Sequence, residues 1–304
     1  MHPYQKGTIV TKLIDPGEVA KNFRAEIKKL IAQQKTPLKL AGFLSTDSLP
    51  SVTYANYTKI GCNDVGIEFI LHHENRLALE KKIDEANSDP NIHGIIVYYP
   101  IFGTEQDRYI KDLVDHRKDI EGMNSFWVRN LYHDQRYVDK DQSKKAILPC
   151  TPLAIVKLVE LAGHFQSGAT PLKGKKITVF NRSEVVGRPL ASMLANDGAD
   201  VFSFDIDGPL VFKRGSIEEI KFSRQEALAQ SDIVITGVPS REFPLVTAKE
   251  IKQDALCINF STFKNFSDDI MGKAGTFVPR VGPMTVTMAL RNTLRLYNNF
   301  HAIN

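Results

Sequence analysis

The sequence predicts an α/β protein of two domains, and three observations carry that expectation. At 304 residues the chain exceeds what one hydrophobic core commonly organises. From Asp15 onward, short apolar runs alternate with stretches of helical periodicity, the pattern of parallel strands joined by crossover helices. Between Ile177 and Asp205 the chain reads as strand, tight turn, helix, strand and acid, the layout of a nucleotide-binding βαβ unit.

That unit organises the rest. Ile177-Thr178-Val179-Phe180 is an apolar run of strand type, and Asn181-Arg182-Ser183 is a turn. Gly187 and Pro189 open an amphipathic helix through Leu190, Met193 and Leu194, which Gly198 ends. Val201 to Phe204 forms the second strand and delivers Asp205 at its end. Backbone N–H groups at Ser183, Val185, Val186 and Gly187, together with the positive end of the helix dipole, suit a pyrophosphate. An acid at Asp205 suits ribose hydroxyls and repels a 2′-phosphate, so the expected cofactor is NAD rather than NADP. The G-x-G-x-x-G fingerprint itself is reduced to the single Gly187.

Composition excludes several classes. Hydrophobic residues at 42% and charged residues at 24% are ordinary for a globular protein, and a net charge of +4 without a basic block gives no case for nucleic acid. The three cysteines, Cys62, Cys150 and Cys257, are odd in number and widely spaced, which favours a reducing compartment. The opening MHPYQKGTIV lacks the pattern of a signal or transit peptide, and no apolar run reaches the roughly 18 residues that cross a bilayer. A cytoplasmic protein without membrane contact is expected. The eight histidines, including His72-His73 and His116, lack metal-ligand spacing, so no metal is expected.

In chain order, Asp15-Pro16 starts a helix with Val19, Phe23, Ile27, Leu30 and Ile31 on one face, and Leu38 to Leu44 is a strand. The segment from Ser51 carries Tyr54 and Tyr57 early and closes near Gly66. A helix is expected over about Glu74 to Ala86, and a strand over Gly94 to Tyr99, stopped by Pro100. Residues 130–146 read as a polar, solvated excursion. A helix follows from Thr151-Pro152 to Leu161, and further strands are expected at Ile233–Gly237 and Ala255–Asn259. Val211-Phe212 and Ile217 suggest a small hairpin within the long 208–222 connection. The last helix runs from about Pro283 to Phe300, with Met284 and Met288 on its core side. The domains are thus expected at 1–150, joined by helix 283–304, and at 151–282.

Six separated stretches then point to one family: SVTYANYTK from Ser51, VYYPIF from Val97, KDIEG from Lys118, PCTP from Pro149, RSEVVGRP from Arg182 and VGPMTVTMALRNT from Val281. In order and spacing the chain resembles the methylenetetrahydrofolate dehydrogenase/cyclohydrolase family over nearly its whole length. The resemblance implies an N-terminal α/β folate-binding domain, a Rossmann-type NAD-binding domain and a C-terminal helix packing back on the first, with the active cleft between the domains. It also implies a homodimer, formed through the Rossmann domains, and 5,10-methylenetetrahydrofolate as substrate.

Two departures bear on the reaction. The bifunctional members carry Tyr-x-x-x-Lys, whose lysine activates the hydrolytic step; here Tyr54 matches, but Thr58 takes the lysine position. Lys59 is one residue late, about 100° around a helix. The glutamine partner of that lysine is replaced by Tyr98. Hydride transfer needs neither group, because the cofactor carries that chemistry. The resemblance therefore implies oxidation to 5,10-methenyltetrahydrofolate without cyclohydrolase activity. The alternatives are a bifunctional enzyme using Lys59, or a catalytically silent folate or nucleotide sensor.

By the same resemblance the folate would be held by Tyr54, Tyr98, Glu121 and Pro283, with Glu121 standing where the family has a second Asp. Tyr54, Glu121 and Cys150 form the expected catalytic set, with Cys150 either lining the cleft or merely buried at the domain junction. Arg182, Ser183, Val185, Val186, Gly187, Asp205, Thr236 and Gly237 are the expected NAD contacts. Arg182, in NADP-using relatives, could face the phosphate; its other roles are a salt bridge or a pyrophosphate contact. Asn181 stands where the family usually has Gly.

Overall fold

The computed structural model describes residues 10–302; the expected absence of a targeting signal in the first nine residues lies outside them. The chain divides into two compact units, residues 17–154 with 283–302 and residues 10–16 with 155–282.

The first unit is a three-stranded parallel sheet with helices. Strand β2 (Lys39–Leu44) lies between β3 (Glu68–His73) and β4 (Gly94–Tyr98). Strands β2 and β4 are near-continuous apolar runs because both are buried. Strand β3 is absent from the expectations above: it is a half-exposed edge strand whose apolar run, Phe69-Ile70-Leu71, is only three residues long between Glu68 and His72-His73. Helix α1 is Pro16–Ile31 and α2 is Leu49–Val65. The Ser48 side chain caps α2 by accepting from the Ser51 N–H, and Gly66, at φ 87°, ends it. Helix α3 spans Leu79–Ser88, starting five residues later than expected. Residue Asn75 instead turns the preceding chain, its side-chain oxygen accepting from the N–H groups of Leu77 and Ala78. Two short helices, α4 (Gln106–Leu113) and α5 (Ser125–Tyr132), were not foreseen. The second of these corrects the reading of 130–146 as solvated, since Asn130, Leu131 and Ala146 are buried.

Helix α6 spans Cys150–Leu161, and the last helix, α9, spans Gly282–Leu296 before a π-type turn at Tyr297–His301. Within the first unit α9 packs back as expected. The side chains of Asn292 and Arg295 on α9, and of Asn299 in the turn after it, donate to the carbonyls of Ile120 and Leu148, of Ala146, and of Lys145. Met284 and Met288 are fully buried, as core residues should be. Helix α2 meets α9 at Gly61, where an added Cβ would lie 2.9 Å from Val286.

The second unit is an eight-stranded sheet ordered β1-β11-β10-β9-β5-β6-β7-β8. Its parallel centre comprises β5 (Lys176–Phe180), β6 (Asp200–Phe204), β9 (Ile233–Thr236), β10 (Leu256–Asn259) and β11 (Thr276–Val278). Helix α7 (Gly187–Asn196) connects β5 to β6, and α8 (Arg224–Gln230), also not foreseen, precedes β9. The expected hairpin exists as β7 (Leu210–Lys213) and β8 (Ser216–Glu219), antiparallel on the β6 edge. The other edge carries β1 (Lys12–Leu13), so residues 10–16 join this unit and not the first, as had been expected. Read from β5, the parallel strands follow the doubly wound order 2-1-3-4-5, which reverses between β5 and β9. Such a reversal opens a crevice at the carboxyl ends of the two strands, where ligands bind.

Among the described residues no helix is long and apolar enough to cross a membrane, and no group of three metal-ligating side chains converges.

Candidate active site

In the second unit the reversal point is built around Asn181. Its backbone has φ 149°, in the region that glycine tolerates best, which accounts for the family's usual Gly there. Its side chain spans the crevice. The Nδ2 donates to the Gly237 carbonyl at 2.9 Å, and Oδ1 accepts from the Ser183 N–H at 2.9 Å and from its hydroxyl at 2.7 Å. Asn181 thus ties the end of β5 to the end of β9. Gly187 is forced by the same turn: a Cβ there would lie 2.0 Å from the Asn181 carbonyl oxygen. The first turn of α7 stays close to the strand end only because that atom is missing, and Val185 and Val186 lead into it half-buried. Gly237 is equally constrained, since a Cβ would fall 1.9 Å from the Phe260 ring. Thr236 is fully buried, its hydroxyl donating to the Asn259 side chain at 3.4 Å.

Asp205 is exposed at the end of β6, beside the strand that feeds the Asn181 turn, with Oδ1 accepting the N–H of Ile206 at 2.8 Å. Arg182 turns inward. It is buried, and its Nη2 donates to the Gly208 carbonyl at 2.7 Å. That contact fixes the loop bearing Asp205, so Arg182 shapes the acid's position from below. These residues fit a dinucleotide: a glycine-tight turn at a helix N-terminus for the pyrophosphate and an exposed carboxylate for the ribose.

In the first unit Tyr54, Tyr98, Glu121 and Cys150 are brought together. The rings of Tyr54 and Tyr98 meet edge to face, 5.5 Å apart at 87°. Tyr98 is only 1% exposed, so it backs Tyr54 and offers almost no surface of its own. Both hydroxyl oxygens are buried without a hydrogen-bond partner. Burial raises both phenols, and the Glu121 carboxylate raises them further. Thr58 is fully buried and donates its hydroxyl to the Tyr54 carbonyl at 2.9 Å, while Lys59 is exposed. The position of the family's lysine is therefore occupied by a hydroxyl already satisfied within its own helix.

The acid turn follows from Asp119. Its carboxylate accepts the N–H groups of Glu121 and Gly122 at 3.0 Å each and of Asn124 at 2.7 Å, and Ile95 of β4 donates to the Lys118 carbonyl at 2.7 Å. Asp119 anchors the turn and Glu121 is left to act. Glu121 is 7% exposed; burial, and then the neighbouring Asp119, push its carboxyl up to about 8. Cys150 is also buried, with Sγ donating to the Ile120 carbonyl at 3.3 Å. Burial and then Glu121 raise its thiol well above the ordinary value, so it is a neutral neighbour and not a thiolate nucleophile. Cys62 and Cys257 are buried too, each pushed up to about 12. The native protein is expected to titrate essentially no thiol with an aromatic disulfide reagent at pH 7.5, and three once unfolded. A fast native equivalent would contradict this account of Cys150. Pro283 sits half-buried in the first turn of α9, its carbonyl accepting from the Thr287 hydroxyl at 2.9 Å.

Sequence reasoning missed Asp119 as the anchor, Asn292 of α9 on the Ile120 carbonyl, and Phe260 over Gly237. Asp119 and Asn292 lay within motifs already noticed, but what they touch is set by packing between distant segments.

Comparisons with known proteins identify the family. The model of the tetrahydrofolate dehydrogenase/cyclohydrolase catalytic domain matches residues 14–121, and that of the family's NAD(P)-binding domain matches residues 149–301. A Dictyostelium discoideum protein named methylenetetrahydrofolate dehydrogenase (NAD(+)) is 42% identical over 296 residues, 94% of each chain. The Saccharomyces cerevisiae protein of that name is 42% identical over 304 residues, covering 93% of this chain and 94% of its own. The solved structure of the NAD-dependent 5,10-methylenetetrahydrofolate dehydrogenase from Saccharomyces cerevisiae matches with a TM-score of 0.88 at 40% identity, covering 95% of this chain and 98% of that one. The chain belongs to the tetrahydrofolate dehydrogenase/cyclohydrolase family.

Proposed function

We propose that the protein oxidises 5,10-methylenetetrahydrofolate to 5,10-methenyltetrahydrofolate with NAD, and does not hydrolyse the product. The observation that carries this reading is the near-full-length similarity, at 42% identity, to proteins named for that NAD-dependent reaction. Bound NAD supplies a hydride acceptor at the nicotinamide. The chain's own part is to bind, align and balance charge. Tyr54, supported edge-on by Tyr98, offers a ring face to the folate, and its buried hydroxyl lies beside the Glu121 carboxyl. The Glu121 carboxylate accepts from the pterin N–H groups and offsets the positive charge that develops as hydride leaves. Cys150 lines the site as an apolar neighbour, and Pro283 completes it at the head of α9. Hydrolysis would need a proton carrier near the one-carbon bridge. Thr58, with its hydroxyl satisfied, and Tyr98, with its ring buried, supply none.

On the cofactor side, the Asn181–Gly187 turn would hold the pyrophosphate beside Ser183, Val185 and Val186, Asp205 the adenosine ribose, and the strand end at Gly237, with Thr236 buried behind it, the nicotinamide ribose. Removing Asp205 deletes a charged hydrogen-bond acceptor of roughly 1.5–3 kcal/mol, so Asp205→Ser should raise the KM for NAD about ten- to a hundredfold. It should also narrow the preference over NADP, with the folate KM unchanged. An unaltered NAD/NADP ratio would remove Asp205 from the cofactor site. We also assign the protein to the cytosol on its three free cysteines and, on the strength of the resemblance, to one-carbon supply for purine synthesis as a homodimer. Sedimentation of the purified protein tests the last of these.

A further inference from the structure

We infer that Asn292 is a positioning residue for the oxidation: its side-chain amide clamps the acid turn to the start of α6 and so sets Glu121 and Cys150 against the folate. This rests on the function proposed above.

Three segments far apart in sequence meet at one carbonyl. Ile120, immediately before Glu121, accepts from Asn292 Nδ2 at 2.8 Å and from Cys150 Sγ at 3.3 Å. The same Nδ2 donates to the Leu148 carbonyl, two residues before Cys150, at 2.9 Å, and lies 3.6 Å from the Cys150 sulfur. The amide therefore reaches the residue before Glu121 and the segment leading into Cys150. Its orientation is not arbitrary. Flipping it would aim Oδ1 at two carbonyl oxygens, exchanging two hydrogen bonds for two repulsions. The retained orientation leaves Oδ1 buried with no partner. Asn292 is fully buried, and leaving an acceptor unsatisfied there is unfavourable. A leucine at this place would fill α9's core without that cost.

The clamp also closes on a tight joint. Gly122, at φ 66°, passes so near the 147–149 segment that a Cβ would lie 3.1 Å from the Leu148 carbonyl carbon. On the helix side, Thr293, the next residue of α9, lies against the start of β4, 3.3 Å from where a Gly94 Cβ would be. The backbone beside Glu121 is thus held from below by Asp119 and from the side by Asn292. Asp119 forms the turn; Asn292 places the formed turn relative to Cys150.

The test is Asn292→Leu in the full chain, read three ways: thermal unfolding, steady-state kinetics in both substrates, and native labelling of Cys150 by a small alkylating reagent. The expected result is a folded variant whose kcat/KM for methylenetetrahydrofolate falls at least tenfold, whose KM for NAD stays within twofold, and whose Cys150 labels faster. Asn292→Gln, which keeps the amide on a longer arm, should recover part of the folate kcat/KM. A folded N292L with wild-type folate kinetics and wild-type labelling overturns the inference. If N292L does not fold, Asn292→Ser, which deletes the amide and leaves a small void, is measured by the same criteria. Absence of folate turnover in the wild type overturns the proposed function instead, and the clamp is then judged by Cys150 labelling alone.

Discussion

Gly187→Ala is expected to abolish practical NAD use, lowering kcat/KM for NAD more than a hundredfold while leaving folate binding intact. The new Cβ would sit 2.0 Å from the Asn181 carbonyl oxygen, 2.4 Å from its carbon and 2.6 Å from Oδ1. Two of those three atoms are backbone, so no side-chain rotation relieves the clash. The turn must open, and opening it breaks the Asn181 contacts with Ser183 and Gly237 that hold the two strand ends together. Forcing a methyl into a packed site costs typically about 1–3 kcal/mol of stability, and the backbone donors lose their aim at the pyrophosphate as well. Calorimetric titration with NAD checks this directly. Wild-type affinity in a folded G187A would mean that the pyrophosphate does not lie on this turn.

Glu121→Gln should move activity and stability in opposite directions. Ionised, Glu121 contributes a charged hydrogen bond to the ligand, so its loss should lower kcat/KM for the folate about ten- to a hundredfold. In the free protein the same carboxyl is held up at about 8 by burial and by Asp119, against an ordinary value of 4.5. The sign follows from proton counts. Between those two values the folded state keeps a proton that the unfolded state has released, so unfolding free energy falls as pH rises. By pH 7 the accumulated penalty is up to about 3 kcal/mol, and glutamine does not bear it. E121Q should therefore be the more stable protein above about pH 6, with the difference vanishing as pH drops toward 4.5. Wild-type kcat/KM should climb through about pH 8 as Glu121 ionises, and E121Q should lack that limb. A stability gain that does not depend on pH, or an unchanged pH profile, would contradict this role.

The parts of the molecule legible in the sequence were those where local chemistry and global fold agree. Residues 177–205 carry their own strand, turn and helix signals, and β5, α7 and β6 stand where those signals placed them. The hairpin at Val211 and Ile217 was equally plain. Strand β3 was hidden by its half-exposed edge position, and α4, α5 and α8 by their seven or eight residues, too few to establish a period. Residue contacts were less legible than residue types. Arg182 was a sound candidate for phosphate contact, yet its reach to the Gly208 carbonyl depends on where the loop after β6 folds. Tyr98 was expected against substrate, and its 1% exposure follows from its place at the end of β4, which is buried along its whole length. The clamp at Asn292 depends on residues some 140 to 170 positions away, which no local pattern encodes.

The stoichiometry of one reaction separates NAD-dependent oxidation from hydrolysis most directly. Purified protein is mixed with 5,10-methylenetetrahydrofolate and NAD, and reduced NAD and methenyl product are followed together, with NADP in a parallel run. The expected result is one methenyl product per reduced NAD, decaying only at its spontaneous hydrolysis rate, with NADP turning over far more slowly. Enzyme-dependent disappearance of the methenyl product would show that Thr58 and Tyr98 do not exclude hydrolysis, and no reduced cofactor in either run would leave a folate or nucleotide sensor.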